Sequence, residues 1–426
     1  MFRKQSVLPP VASFLFWAMV CTGMAALRMA DVSSAAAVDR VVRENSGEFV
    51  VALSADCRLN TFRLPDRVAI AQFEGGRCNE RAVTRSINRQ WLYVGGRDGE
   101  ISALSLPDLI VRRRQRLDHA IGHLLTTSDE RYLIAVVEPA NAPANAPAML
   151  VVLHGSSLAP VRIVPLANRR GQALTVAHLT EVGHRQSVLI SFEHSNEMWE
   201  LFLAPDAETV FEGMVHDYRL GEGISEPRNL PIRRIFTDAP MERFLVEPLS
   251  PHLSQLVDSG DGSLLARRFN LDVRRQVGET PVLANIDFRT AVGVRTGHTS
   301  YWLAADRAWA GIHVHELPGM KYRGFIELPG AHCRALSSLS TQFIFTAACS
   351  DEGADQLYII DAATQAVRAI LQPQAGRRVS QIALSDNPGY LVAVLAGEAG
   401  QLVAYDDRNR CRMGEVAVPQ LRKVVD

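Results

Sequence analysis

The sequence predicts an all-β chain, an eight-bladed β-propeller of four-stranded antiparallel blades. Two observations carry this. A unit of one short apolar run, a turn rich in Gly, Asp, Glu or Asn, a second apolar run and a charged tail recurs eight times after residue 48. The runs are rich in Val, Ile, Leu, Tyr and Phe and end at Gly, Asp, Asn or Ser, while helical three-four spacing is scarce. A strand–turn–strand unit returning every ~40–57 residues is the signature of a propeller. One such sheet cannot cover both of its own faces, so the copies pack against each other in a ring.

The units follow in order. The first is Phe49-Val-Val-Ala-Leu53 and Arg58-Leu-Asn-Thr-Phe62 around a turn at Asp56. The second is the clearest and reads Trp91-Leu-Tyr-Val-Gly-Gly-Arg-Asp-Gly-Glu-Ile-Ser-Ala-Leu-Ser-Leu106. The third pairs Tyr132-Leu-Ile-Ala-Val-Val137 with Met149-Leu-Val-Val-Leu153. Between them, Pro139-Ala-Asn-Ala-Pro-Ala-Asn-Ala-Pro147 reads as an exposed tip rather than a domain linker. The fourth pairs Ser187-Val-Leu-Ile-Ser-Phe192 with Met198-Trp-Glu-Leu-Phe202. The fifth is the weakest, with Arg243-Phe-Leu-Val246 and Ser263-Leu-Leu-Ala266 around Ser259-Gly-Asp-Gly262. The sixth has Ser300-Tyr-Trp-Leu-Ala304 and Gly311-Ile-His-Val314. The seventh has Phe343-Ile-Phe-Thr-Ala347 and Gln356-Leu-Tyr-Ile-Ile360, with a tight turn after Asp361 leading to an outer strand. The eighth has Tyr390-Leu-Val-Ala-Val-Leu395 and Gln401-Leu-Val-Ala-Tyr405. A strand from 38–42 is expected to join the last blade and close the ring, which removes the open edge.

Residues 1–37 read as a secretory signal, and 38–426 as the propeller. Arg3 and Lys4 precede an apolar stretch over 11–20, and small-residue sites follow at Gly23-Met-Ala25 and Ala35-Ala-Ala37. An uncleaved single-span anchor is the alternative. Cys21 suggests lipidation, but Val20 before it is bulkier than the small residue usual there. The expected location is therefore the periplasm, with no membrane contact beyond the N-terminal segment. Formal net charge is −1, from 45 basic and 46 acidic side chains, so nucleic acid is not an expected partner. The cluster Arg112-Arg-Arg-Gln-Arg116 reads as a solvated guard on an edge strand. Cys57, Cys78, Cys333, Cys349 and Cys411 lie beyond the signal, in no CxxC or CxxCH spacing, and their number is odd. The spacing leaves their pairing open.

The phrase Trp91-Leu-Tyr-Val-Gly-Gly-Arg-Asp-Gly-Glu-Ile resembles the cytochrome d1 haem-domain propeller family, and within it the NirF-type haem d1 biosynthesis proteins. Phe49-Val-Val-Ala-Leu-Ser-Ala-Asp-Cys-Arg-Leu59, Val137-Glu-Pro139 and Ser191-Phe-Glu-His-Ser-Asn-Glu-Met-Trp199 resemble its first, third and fourth blades. The resemblance spans most of the chain after residue 48. It implies non-covalent binding of haem d1 or a precursor tetrapyrrole at one face of the channel. It also implies a role in haem d1 maturation for nitrite reductase in denitrification, with other maturation proteins or the reductase as partners, and possible modification of a macrocycle side chain. Two departures stand out. Where the family has a haem-ligating His in blade two, this chain has Glu80, an oxygen ligand harder than imidazole. The second family His, in blade six, falls near Ile286-Asp-Phe288.

Arg97 and Arg81 are the candidate carboxylate anchors, because the guanidinium fork matches a carboxylate in bidentate fashion. The plainer alternatives are a hairpin turn at Asp98-Gly99 for the first and surface solvation for the second, and for Arg85 beside it. His194 is the candidate catalytic residue, a proton donor or acceptor beside Glu193, against a solvated turn histidine. His313 and His315 share a strand face and would need a third ligand, such as His298 or His332, to hold a metal; no metal site is assigned. His119 and His123 read as polar packing. Trp91, Tyr93, Trp199 and Trp302 read as packing between sheets. The rival to tetrapyrrole binding is a non-catalytic scaffold for protein–protein interaction that has lost its haem site.

Overall fold

The structure, a computed structural model, describes residues 49–425 apart from short segments mainly in the connections, the longest being 213–223. The leader at 1–37, residues 38–42 and Cys411 lie outside the described residues.

Among the described residues there are eight four-stranded antiparallel sheets and one two-stranded ribbon, and no α-helix. Blade two shows the plan: Cys78–Arg85 innermost, then Trp91–Gly96, Glu100–Ser105 and Ile110–Arg116 outermost. Blade three repeats it with Ala120–Thr126, Tyr132–Glu138, Met149–His154 and Pro160–Pro165, and blade four with Val176–Val182, Ser187–Phe192, Glu197–Phe202 and Ile232–Phe236. Blades six, seven and eight begin with Ile286–Thr296, His332–Leu339 and Val379–Leu384. The innermost strands of blades two and three lie side by side, as do those of six and seven and of seven and eight, so these edges face a common hub.

The ring order is written in the core clusters. Phe49, Val51 and Leu53 of blade one pack on Leu92, Val94 and Leu104 of blade two. The alternate residues Tyr93, Ile101 and Ala103 pack on Leu133, Ala135 and Val151 of blade three. Ile134, Val136 and Leu150 then meet Val188, Ile190 and Trp199 of blade four, and the alternation continues from blade four to five, five to six and six to seven. The second strands of blades one to four therefore bury both faces, which is why they read as unbroken apolar runs rather than alternating ones. Trp199 and Trp302 are fully buried and Tyr93 nearly so, as expected of packing between sheets. The strand Ile110–Arg116 is outermost and alternates exposed with half-buried residues, with Arg114 against Glu100 at 3.4 Å.

Two expectations are corrected. Blade five pairs His252–Asp258, not 243–246, with Leu264–Asn270; Leu245–Val246 is its innermost strand. The strand was masked by a polar layer: Glu247 is buried and accepts hydrogen bonds from Ser254 at 2.9 Å and from Arg268 at 2.9 and 2.8 Å. The ring is closed by the other end of the chain. Leu421–Val425 pairs antiparallel with Phe49–Ser54 and supplies the innermost strand of blade one, while the last blade has four strands of its own.

Deleting residues 421–426 leaves the fully buried strand Phe49–Ser54 as an open edge. Each backbone hydrogen bond lost costs about 0.5–1.5 kcal/mol. A lower melting temperature and scattering on heating are expected, followed by circular dichroism and light scattering. An unchanged melt would contradict the closing role.

Candidate functional site at the hub

Antiparallel pairing fixes which end of each blade a residue occupies. The start of an innermost strand lies beside the end of the second strand, as in Cys78 opposite Gly96, Ala120 opposite Glu138 and Val176 opposite Phe192. The starts of innermost strands and the turns between second and third strands thus share one end of the wheel. Glu80, Arg81, Arg97, His194 and Ile286-Asp-Phe288 all fall at that end.

The innermost strands leave regular pairing there. The register shifts between Cys78 and Val83 in blade two, Ile121 and His123 in blade three, and Val176 and His178 in blade four. The same happens between Asp287 and Val292, Cys333 and Ala335, and Val379 and Gln381 in blades six to eight. Bulges of this kind re-aim side chains and gather beside binding sites. Arg81 lies within the blade-two bulge; His123 and His178 are each the first paired residue after theirs. Gly122 leaves room in blade three for the Glu138 carboxylate, which a Cβ there would meet at 2.3 Å and displace.

These residues converge. Asn79 of blade two donates through Nδ2 to the Gly122 carbonyl of blade three at 3.2 Å, and accepts from the Arg81 backbone N–H at 3.1 Å. Arg81 is exposed, and His123 and His178 are half-buried. His123 is pushed down from 6.5 to about 4, first by burial, then by the Arg81 charge and by His178. It is therefore a neutral imidazole at neutral pH, able to donate a lone pair or a hydrogen bond but slow to take up a proton. The His178 ring meets the Phe244 ring edge-on at 5.2 Å. The side chain of Glu80 lies outside the described residues.

The other candidates sit on the rim. Arg97 and Asp98 form the exposed turn between two strands, closed by the Gly99 N–H to the Gly96 carbonyl at 3.2 Å, with Gly99 at φ 83°. His194 has φ 53° and a side chain 91% exposed; Glu242 accepts from its backbone N–H at 2.8 Å and lies 3.0 Å from Nδ1. The structure thus places Arg81 within electrostatic reach of His123, while Arg97 and His194 lie on the exposed rim. Sequence reasoning passed over His123 and His178. The signal was present: both follow a small residue at the same bulge of consecutive repeats. His313 and His315 lie on the third strand of blade six, away from the hub edge. His313 Nε2 is 2.6 Å from Asp306, and His315 Nδ1 is 3.3 Å from the Met320 carbonyl. His298 and the His332 side chain lie outside the described residues, and no group of three or more metal ligands occurs among those described.

No protein-family model matches the chain. It superposes on a solved structure of dihydro-haem d1 dehydrogenase NirN in complex with DHE with a TM-score of 0.69 at 18% identity, covering 89% of this chain and 75% of that one. The likeness is one of fold, a propeller. In sequence, the propeller is 21% identical over 367 residues to the dihydro-haem d1 dehydrogenase of Pseudomonas aeruginosa. The match takes in 86% of this chain and 66% of that protein's length.

The low His123 pKa has a sign. Below about 6.5 the unfolded chain takes up a proton that folded His123 refuses until about 4, so this group's contribution to stability is lost as pH falls through that window. Arg81→Met should move the His123 midpoint upward, read from imidazole NMR shifts. A midpoint that stays at about 4 would remove Arg81 from the hub.

Proposed function

We propose that this chain is an exported protein of haem d1 biosynthesis that holds haem d1 or a precursor tetrapyrrole at the bulged end of its hub. The observation that carries the reading is the cluster of Arg81, His123 and His178 on the innermost strands of three consecutive blades. Its support from relatives is the likeness to NirN, whose solved complex contains DHE.

The donor set suits such a ligand. The macrocycle carries several carboxylates, and an exposed guanidinium at the hub mouth is a bidentate partner for one of them. Arg97, on the turn of the same blade, is a rim cation for another. A neutral imidazole would supply a nitrogen donor to the metal of a bound macrocycle, and His123 is held in that form by burial and by Arg81. The family imidazole missing at Glu80 is thereby replaced one and two blades further round. His194, paired with Glu242 at the rim, is assigned to proton exchange with solvent rather than to ligation. Two disulfides among the described residues favour an oxidising compartment, in line with a leader at 1–37. No helix among the described residues is long and apolar enough to cross a membrane.

Titration of the purified protein with haem d1 or dihydro-haem d1, followed by absorption, tests the reading. Arg81→Ala should weaken binding by about 1.5–3 kcal/mol, the value of a hydrogen bond to a charged group. Arg97→Ala should weaken it less, and His123→Ala should alter the bound spectrum. No spectral change at micromolar wild-type protein would overturn the reading.

A further inference from the structure

Both disulfides fasten an innermost strand at the residue where a hub bulge begins. Cys78 is bonded to Cys57, and the register of its strand breaks directly after Cys78. Cys333 is bonded to Cys349, its partner on the adjacent strand, and the register breaks directly after Cys333. The first bulge contains Asn79, Glu80 and Arg81; the second is the single residue Arg334. A bulged strand gives up ladder hydrogen bonds, so its backbone is free to drift unless something else holds it. In blade two, pairing resumes only at Val83.

The blade-two bulge is held from both neighbours. On one side Cys57, which lies between the second and third strands of blade one, is covalently bound to Cys78, and the Cys78 backbone N–H points to the Cys57 sulfur at 2.7 Å. On the other side Asn79 donates to the Gly122 carbonyl of blade three. The cross-link spans two blades and ends one residue before the first of these contacts. A bridge that served global stability alone could lie anywhere between the blades; this one lies at the hub end. The blade-seven bridge repeats the placement within a single sheet.

We infer that Cys57–Cys78 and Cys333–Cys349 are positioning cross-links, which hold the bulged innermost strands of blades two and seven in register at the hub, so that Arg81 is presented from a fixed backbone. For its ligand the inference rests on the tetrapyrrole reading above. Its structural half stands without it.

The test uses the full chain as Cys57→Ser/Cys78→Ser and as Cys333→Ser/Cys349→Ser. Each variant should keep a cooperative melt and the wild-type far-ultraviolet spectrum. Amide exchange should quicken at 79–82 in the first and around 334 in the second, more than in the second and third strands of the same blades. Dihydro-haem d1 should bind about tenfold more weakly to each, the usual cost of loosening the groups that orient a binding shell. Exchange that rises evenly over the blade, or not at all, would overturn the inference. Should a variant fail to fold, folded wild-type protein treated with a dithiol reductant gives the same reading. Each bridge then accepts two electrons and two protons and becomes two thiols, while the reductant closes its own disulfide. If wild-type protein binds no tetrapyrrole, the functional reading falls, and the local exchange result still decides the positioning role.

Discussion

Blades two to six pack apolar residues against a neighbour on each side, and neither face can be left in water. The middle strands bury residues on both sides, so a blade is stable only between two neighbours, and the series has no end except by returning to its start. At about 25 cal/mol per Å² of apolar surface, even one uncovered sheet face would cost a large fraction of a domain's net stability. That demand explains why the chain spends its last strand, Leu421–Val425, on the blade formed by its first, Phe49–Ser54.

The hub follows from the same geometry. The innermost strand of each blade has a partner on one side only, and its other edge looks into the channel. Backbone there can leave the ladder at low cost, and at one end it does so in blade after blade. The result is a place where side chains from successive repeats meet, although they are some forty residues apart in the chain. Burial beside the Arg81 cation then makes a neutral base of His123. Neither blade makes that site alone.

The middle strands were legible because burial on both faces leaves a dense apolar run in sequence. Seven of the eight pairs were placed from that signal. The eighth, in blade five, was displaced because its strand turns Ser254 toward the buried Glu247 and Arg268, and a satisfied polar layer carries no apolar signature. The hub was legible only in part. Arg81 was found through family resemblance. His123 was dismissed because its spacing to His119 was weighed along the chain, whereas its meaning lies in register against the next repeat at His178. Cysteine pairing could not be read, since Cys57 and Cys78 belong to different blades and meet only when the ring forms.

The closing strand has a consequence for synthesis. The three strands of blade one that come from residues 49–74 are made before the other blades, and their inner edge is covered only by Leu421–Val425. Until residues 421–425 emerge, a mostly apolar strand waits with its hydrogen-bonding groups open, a template for wrong partners. The nascent chain must therefore keep that edge shielded until residues 421–425 are made, and a product truncated before them would carry the same sticky seam.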